Sequence, residues 1–173
     1  MKTHFKRALF SLIFLSLLIA SFSQAVWAAT ALRSIKSKFS LPSADWVWDS
    51  DYKQEGDKLF GMYVEKLGQA VNFRVNHYEV PYTAKEFLEA VRAQLQKKPD
   101  YQGADFSDVT SRQVKGKTWD LFKVKRKDGI QQELWNRKGE TDSVLFVLYT
   151  ADSTYFDQYY KDFSTLLQQA SSF

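Results

Sequence analysis

The sequence predicts an α+β domain in which an antiparallel β-sheet carries helices packed on its faces, an αβα sandwich. Three observations carry this. Strand-like segments with period-two alternation are separated by glycine turns. Two stretches with apolar residues at helical spacing stand one inside the strand series and one after it. One strand-length run, SVLFVLY, is apolar without interruption, as expected of a strand covered on both faces.

The first element is not part of that domain. Lys2, Lys6 and Arg7 precede an apolar stretch from Ala8 to Phe22, and Val26 and Ala28 place small residues at −3 and −1 of a cleavage site. Residues 1–28 are predicted to be a secretory signal peptide cleaved after Ala28, since the apolar run is short of the roughly 20 residues a bilayer span needs. Residues 29–37 read as a flexible lead-in and 38–173 as a single domain. The chain carries 24 basic and 20 acidic side chains. Removing the signal takes away basic residues only, so the exported part is close to neutral and lacks the global field of a nucleic-acid binder. There is no cysteine, which excludes disulfides, a thiol nucleophile and a lipobox. The predicted location is therefore periplasmic or extracellular, without stable membrane insertion.

Within the domain, KFSLPSADW places Phe39 and Leu41 in alternation before Pro42, the pattern of a strand end. KLFGMYVEK and QAVNFRVNHYEV are rich in aromatic and β-branched residues. In the second, Val71, Phe73 and Val75 share one face, and Asn72, Arg74 and Asn76 the other. Thr83 and Glu86 form a capping-box pair at the start of a helix whose stripe is Phe87, Leu88, Val91 and Leu95. Lys97 and Lys98 suit its negative end, and Pro99 stops it. A polar loop around DYQGADFSD leads to hairpins turning near Gly116, at Asp128-Gly129 and near Gly139. The last helix starts at Asp152 or Ser153 and carries Phe156, Tyr159, Tyr160, Phe163, Leu166 and Leu167.

FSLPSADW, the capped YTAKEFLEAVRAQLQ, the meander and the closing YYKDFSTLLQQASSF together resemble the PsbP-like fold over residues 38–173. That fold is shared by extrinsic proteins of the oxygen-evolving photosystem, a Ran-binding import factor and small bacterial envelope proteins. The resemblance implies binding or assembly rather than catalysis, and it carries over no functional residue.

Three candidate sites stand out. In FKVKRKDG, Lys123, Lys125 and Lys127 share one strand face; this is a hydrated hairpin or a patch for an anionic partner. Trp46 and Trp48 in DWVWDSD, with Trp135, could anchor a partner or simply pack, and the aspartates match no calcium-loop spacing. His77, the single histidine after the signal, stands two residues from Glu79, which makes only half a metal set. No serine elbow accompanies it. The expectation is an exported binding or assembly-accessory protein of the bacterial envelope, with a protein or envelope component as partner and no catalytic, cofactor or metal residues. The alternative is a small-molecule or metal-binding envelope protein using a helix–sheet pocket.

Overall fold

The computed structural model describes residues 36–53, 59–78, 82–138 and 143–172. The signal segment, most of the lead-in, Glu79 and the turn near Gly139 lie outside the described residues. Eight strands form one antiparallel sheet: β1 (Trp46–Lys53), β2 (Leu59–Val64), β3 (Gly68–Tyr78), β4 (Asp105–Phe106), β5 (Thr110–Val114), β6 (Lys117–Lys125), β7 (Gln131–Lys138) and β8 (Ser143–Thr150). The spatial order is β1-β2-β3-β8-β7-β6, with β4 and β5 both pairing with the outer side of β6. Helix α1 (Ala84–Gln96) packs over β6 and β7, and α2 (Ser153–Ala170) over β8 and β3.

The two faces follow from strand parity. Val71, Phe73 and Val75 pair with Thr150, Leu148 and Phe146, and Trp135 pairs with Phe146 and Leu121. Apart from the polar Thr150, these residues build the core under α2 with Trp46, Met62, Trp119, Phe156, Phe163 and Leu166. The opposite face buries Phe122, Val124, Leu134, Leu145 and Val147, and α1 contributes Phe87, Leu88, Val91 and Leu95. Every residue of β8 is buried, as its unbroken apolarity predicts. Each large apolar side chain removed from water contributes about 1.5–3 kcal/mol before entropy costs.

Helix starts match the sequence signals. The Thr83 hydroxyl accepts from the Glu86 N–H, the Glu86 carboxylate accepts from the Thr83 N–H, and Asp152 caps α2 by accepting from the Thr154 N–H. The far end of α2 is tied to the sheet where Trp119 Nε1 donates to Ser171 Oγ at 2.8 Å.

Three expectations need correction. Phe39 and Leu41 do not lie in a strand. A short 3-10 turn at Lys36–Lys38 drops Phe39 into the core, 5.3 Å from the Phe60 ring, and leaves Leu41 36% exposed. Tyr160 is 51% exposed and not part of the α2 stripe, because it falls beside the buried arc set by Phe156, Tyr159 and Phe163. The DYQGADFSD loop holds the end of a 3-10 turn (Pro99–Tyr101) and β4, which extends the β6 edge.

Candidate functional site

On the α1 side of the sheet, away from α1 itself, β3 presents Asn72, Arg74 and Asn76, all buried. Arg74 is the centre of this polar face. Its Nη1 donates to Asp49 Oδ2, its Nη2 donates to Gln69 Oε1, and the Tyr52 ring lies 3.9 Å from its Cζ. Gln69 Nε2 also donates to Asp49 Oδ2 at 2.8 Å, and Asp49 Oδ1 accepts from the N–H groups of Asp51 and Tyr52 at 3.0 and 3.2 Å. Burial pushes the Asp49 carboxyl up, but the charge of Arg74 and the hydrogen bonds from Arg74, Gln69 and Asp51 outweigh it and hold it below the ordinary carboxylate range.

Asn72 Nδ2 donates to the Gln69 carbonyl at 2.8 Å, while its Oδ1, Asn76 Nδ2 and Arg74 Nε have no hydrogen-bond partner among the described residues. The sequence shows the alternation that aligns these three side chains, but not that their face is buried. Nothing in a strand of alternating polarity distinguishes a solvated face from one closed over an internal ion pair.

A second buried charge lies on the other face. Glu133 is 2% exposed, pairs with Lys123, and accepts from Trp135 Nε1 at 3.0 Å. The lysine face of the hairpin is therefore not uniform. Lys123 is half-buried against Glu133 with its ammonium 5.9 Å from the Phe156 ring, whereas Lys125 and Lys127 are exposed. The turn beyond them closes through Gly129 at φ +89° and an ion pair between Arg126 and Asp128 at 2.7 Å.

Of the three candidate tryptophans, Trp46 and Trp135 are buried and Trp48 is half-buried. Trp46 is 1% exposed, its ring crosses Tyr159 and Phe163 edge-on, and its Nε1 donates to Asp162 Oδ2 at 2.7 Å. Trp48 packs against Phe60, with the Lys36 ammonium 5.2 Å from its ring. Trp135 is buried in β7, so it is not an exposed loop anchor. His77 is buried in β3 beside Val144. Among the described residues, no group of three or more His, Cys, Asp or Glu side chains could hold a metal ion. No described helix is long and apolar enough to cross a membrane.

No family model matches the chain, and no curated protein does. Solved structures do. Cyanobacterial PsbP (CyanoP) from Synechocystis sp. PCC 6803, solved in solution, aligns with TM-score 0.50 and 14% identity over 84% of this chain and 96% of its own. A crystal structure from Bacteroides thetaiotaomicron VPI-5482 aligns with TM-score 0.34 and 14% identity, over 61% of this chain and 35% of its own. The eight-stranded antiparallel sheet with its two helices thus gives this chain a PsbP-like α+β fold.

Proposed function

We propose that the chain is an exported, non-catalytic binding or assembly-accessory protein of the bacterial envelope. The observation that carries this reading is how the buried charges are used. Asp49 and Arg74 neutralise each other on one sheet face, and Glu133 is held by Lys123 and Trp135 on the other. Charges committed to one another fix the fold and offer little to a substrate. The signal-like N-terminus supports export, and the PsbP-like fold fits a scaffold whose function rests on its surface.

Affinity capture of the processed protein from envelope extract, with crosslinking and mass spectrometry, tests the role. A saturable partner crosslinked at defined residues is expected. Failure to enrich one, together with turnover of a substrate, would overturn it.

A second reading, a small polar ligand held on the sheet face, is favoured by the open hydrogen-bonding capacity of the buried Asn72 and Asn76 amides. Native mass spectrometry of the protein should then show a bound mass that is lost in an Asn72→Leu variant.

A further inference from the structure

We infer that the outer edge of β5 is a docking rail for an extended, acid-rich segment of a partner protein, which adds to the sheet as a further strand. The inference rests on the binding role proposed above and names where and what that role binds.

The two edges of the sheet are built differently. Along β1 the register shifts between Trp48 and Lys53, and Asp49 turns inward to take the N–H groups of Asp51 and Tyr52 on its own carboxylate. A bulged edge with an inward charge and locally consumed amides is closed to further pairing. The β5 edge has none of these devices. Its register with β6 is regular from Thr110↔Leu121 to Val114↔Lys117, and Thr110, Ser111, Arg112 and Gln113 are exposed.

The hairpin turn fixes which backbone groups point outward. Lys115 and Gly116 both have positive φ, +48° and +73°, so they form the two-residue primed turn that suits a twisted hairpin. Such a turn makes Val114 and Lys117 a hydrogen-bonded pair. Pairs then alternate along an antiparallel ladder, so Arg112 faces its β6 partner while Ser111 and Gln113 direct their N–H and C=O groups to the open side. The side chains of Ser111 and Gln113 turn back across the sheet to Asp120 and Thr118, which leaves that rim clear.

Charge selects the occupant. Residues 109–119 contain Arg112, Lys115 and Lys117 and no acidic residue; of the flanking aspartates, Asp108 pairs with Arg92 and Asp120 accepts from the Ser111 hydroxyl, so cations outnumber carboxylates along this hairpin. All three cations are exposed, and none has an ion-pair partner among the described residues. This rim repels a second copy of itself and attracts a strand bearing glutamate or aspartate. Main-chain hydrogen bonds would supply affinity, and the acidic side chains its preference, as in strand addition generally.

The test uses the full-length chain, purified as the cell processes it, and a synthetic peptide of about nine residues alternating glutamate with threonine and valine, a typical strand length. Nuclear magnetic resonance should show shifts and slowed hydrogen exchange at the Ser111 and Gln113 amides. Binding should weaken about tenfold or more in Gln113→Pro, which removes one outward donor and leaves the Arg112 and Val114 pairs with β6 intact. The same loss is expected for a peptide N-methylated at alternate residues, a control independent of how the variant folds. Reversal of Arg112, Lys115 and Lys117 to Glu, or salt raised from about 0.05 to about 0.5 M, should also weaken it. Unchanged β5 amides at millimolar peptide, equal binding of a lysine-substituted peptide, or pairing of two copies along β5 would overturn the proposal. A native partner crosslinked at another surface would overturn the rail while leaving the binding role in place.

Discussion

Arg74 occupies the space that a side chain at Gly61 would need. A β-carbon built on Gly61 would lie 2.6 Å from Arg74 Nη1, 2.9 Å from Arg74 Cδ and 3.1 Å from the Tyr52 ring. The two residues face each other across β2 and β3, so the glycine is a seat for the guanidinium and its role is not a turn. Gly61→Ala should therefore push Arg74 off Asp49 and cost about 1–3 kcal/mol, the range of core overpacking. Urea melts should show the loss, and the same Gly61→Ala change should cost less in an Asp49→Asn, Arg74→Met background, where no guanidinium is displaced from its carboxylate.

Breaking the pair from one side should cost more. Arg74→Ala leaves the buried Asp49 carboxylate without its cation, and losses of about 3–5 kcal/mol are typical of that change. The double variant Asp49→Asn with Arg74→Met should come much closer to the parent, because no buried charge is stranded. Chemical denaturation of all three variants checks this.

The same pair gives a pH signature. The Asp49 carboxyl is held low in the folded state, so its stabilisation is complete above the ordinary carboxylate value near 4 and is lost as pH falls through the lower folded value. Glu86 and Asp152, hydrogen-bonded at the two helix starts, are shifted the same way. The informative quantity is then the difference between the parent and Asp49→Asn. The parent's advantage should hold from pH 7 to about 5 and shrink below about 4, as followed by thermal melts in a pH series.

Glu133 predicts an asymmetric response. Lys123→Met strands a carboxylate that only the Trp135 indole still satisfies, and a loss of about 2 kcal/mol is expected, below that for two fully buried partners because Lys123 is half-exposed. Adding Glu133→Gln to that variant should restore part of the loss in denaturant melts.

Helix α2 separates packing from exposure within one turn. Phe163→Ala opens a cavity against Trp46 and Phe156 and should cost about 3–5 kcal/mol, while Tyr160→Ala should change stability by less than about 0.5 kcal/mol. A chain stopped before Tyr155 loses the cover of the larger core and should show no cooperative melt by near-ultraviolet circular dichroism.

The elements that local chemistry specifies were legible in the sequence. Thr83 and Glu86 announced the start of α1, Lys115-Gly116 and Asp128-Gly129 announced turns, and the apolar run of β8 announced its central place. What escaped was whatever depends on partners distant in sequence. Asn72, Arg74 and Asn76 alternate as a solvated face would, and only the approach of Asp49 and Gln69 shows why they are buried. Lys123 looks identical to Lys125 until Glu133 is set beside it. Phe39 reads as a strand residue because spacing alone cannot reveal that the chain turns into the core there.

The pairing of β3 with β8, which joins Val71 to Thr150 at the sheet centre, also dictates the order in which the protein can be made. Until β8 and α2 have been made, β1 to β3 have no neighbour for their inner edge and no helix for their apolar side. That edge finds its partner only when β8 emerges, after β4 to β7 have been made, and long-range closure of this kind is slow and exposed to aggregation. A nascent chain held unfolded by a chaperone until α2 is available avoids that hazard.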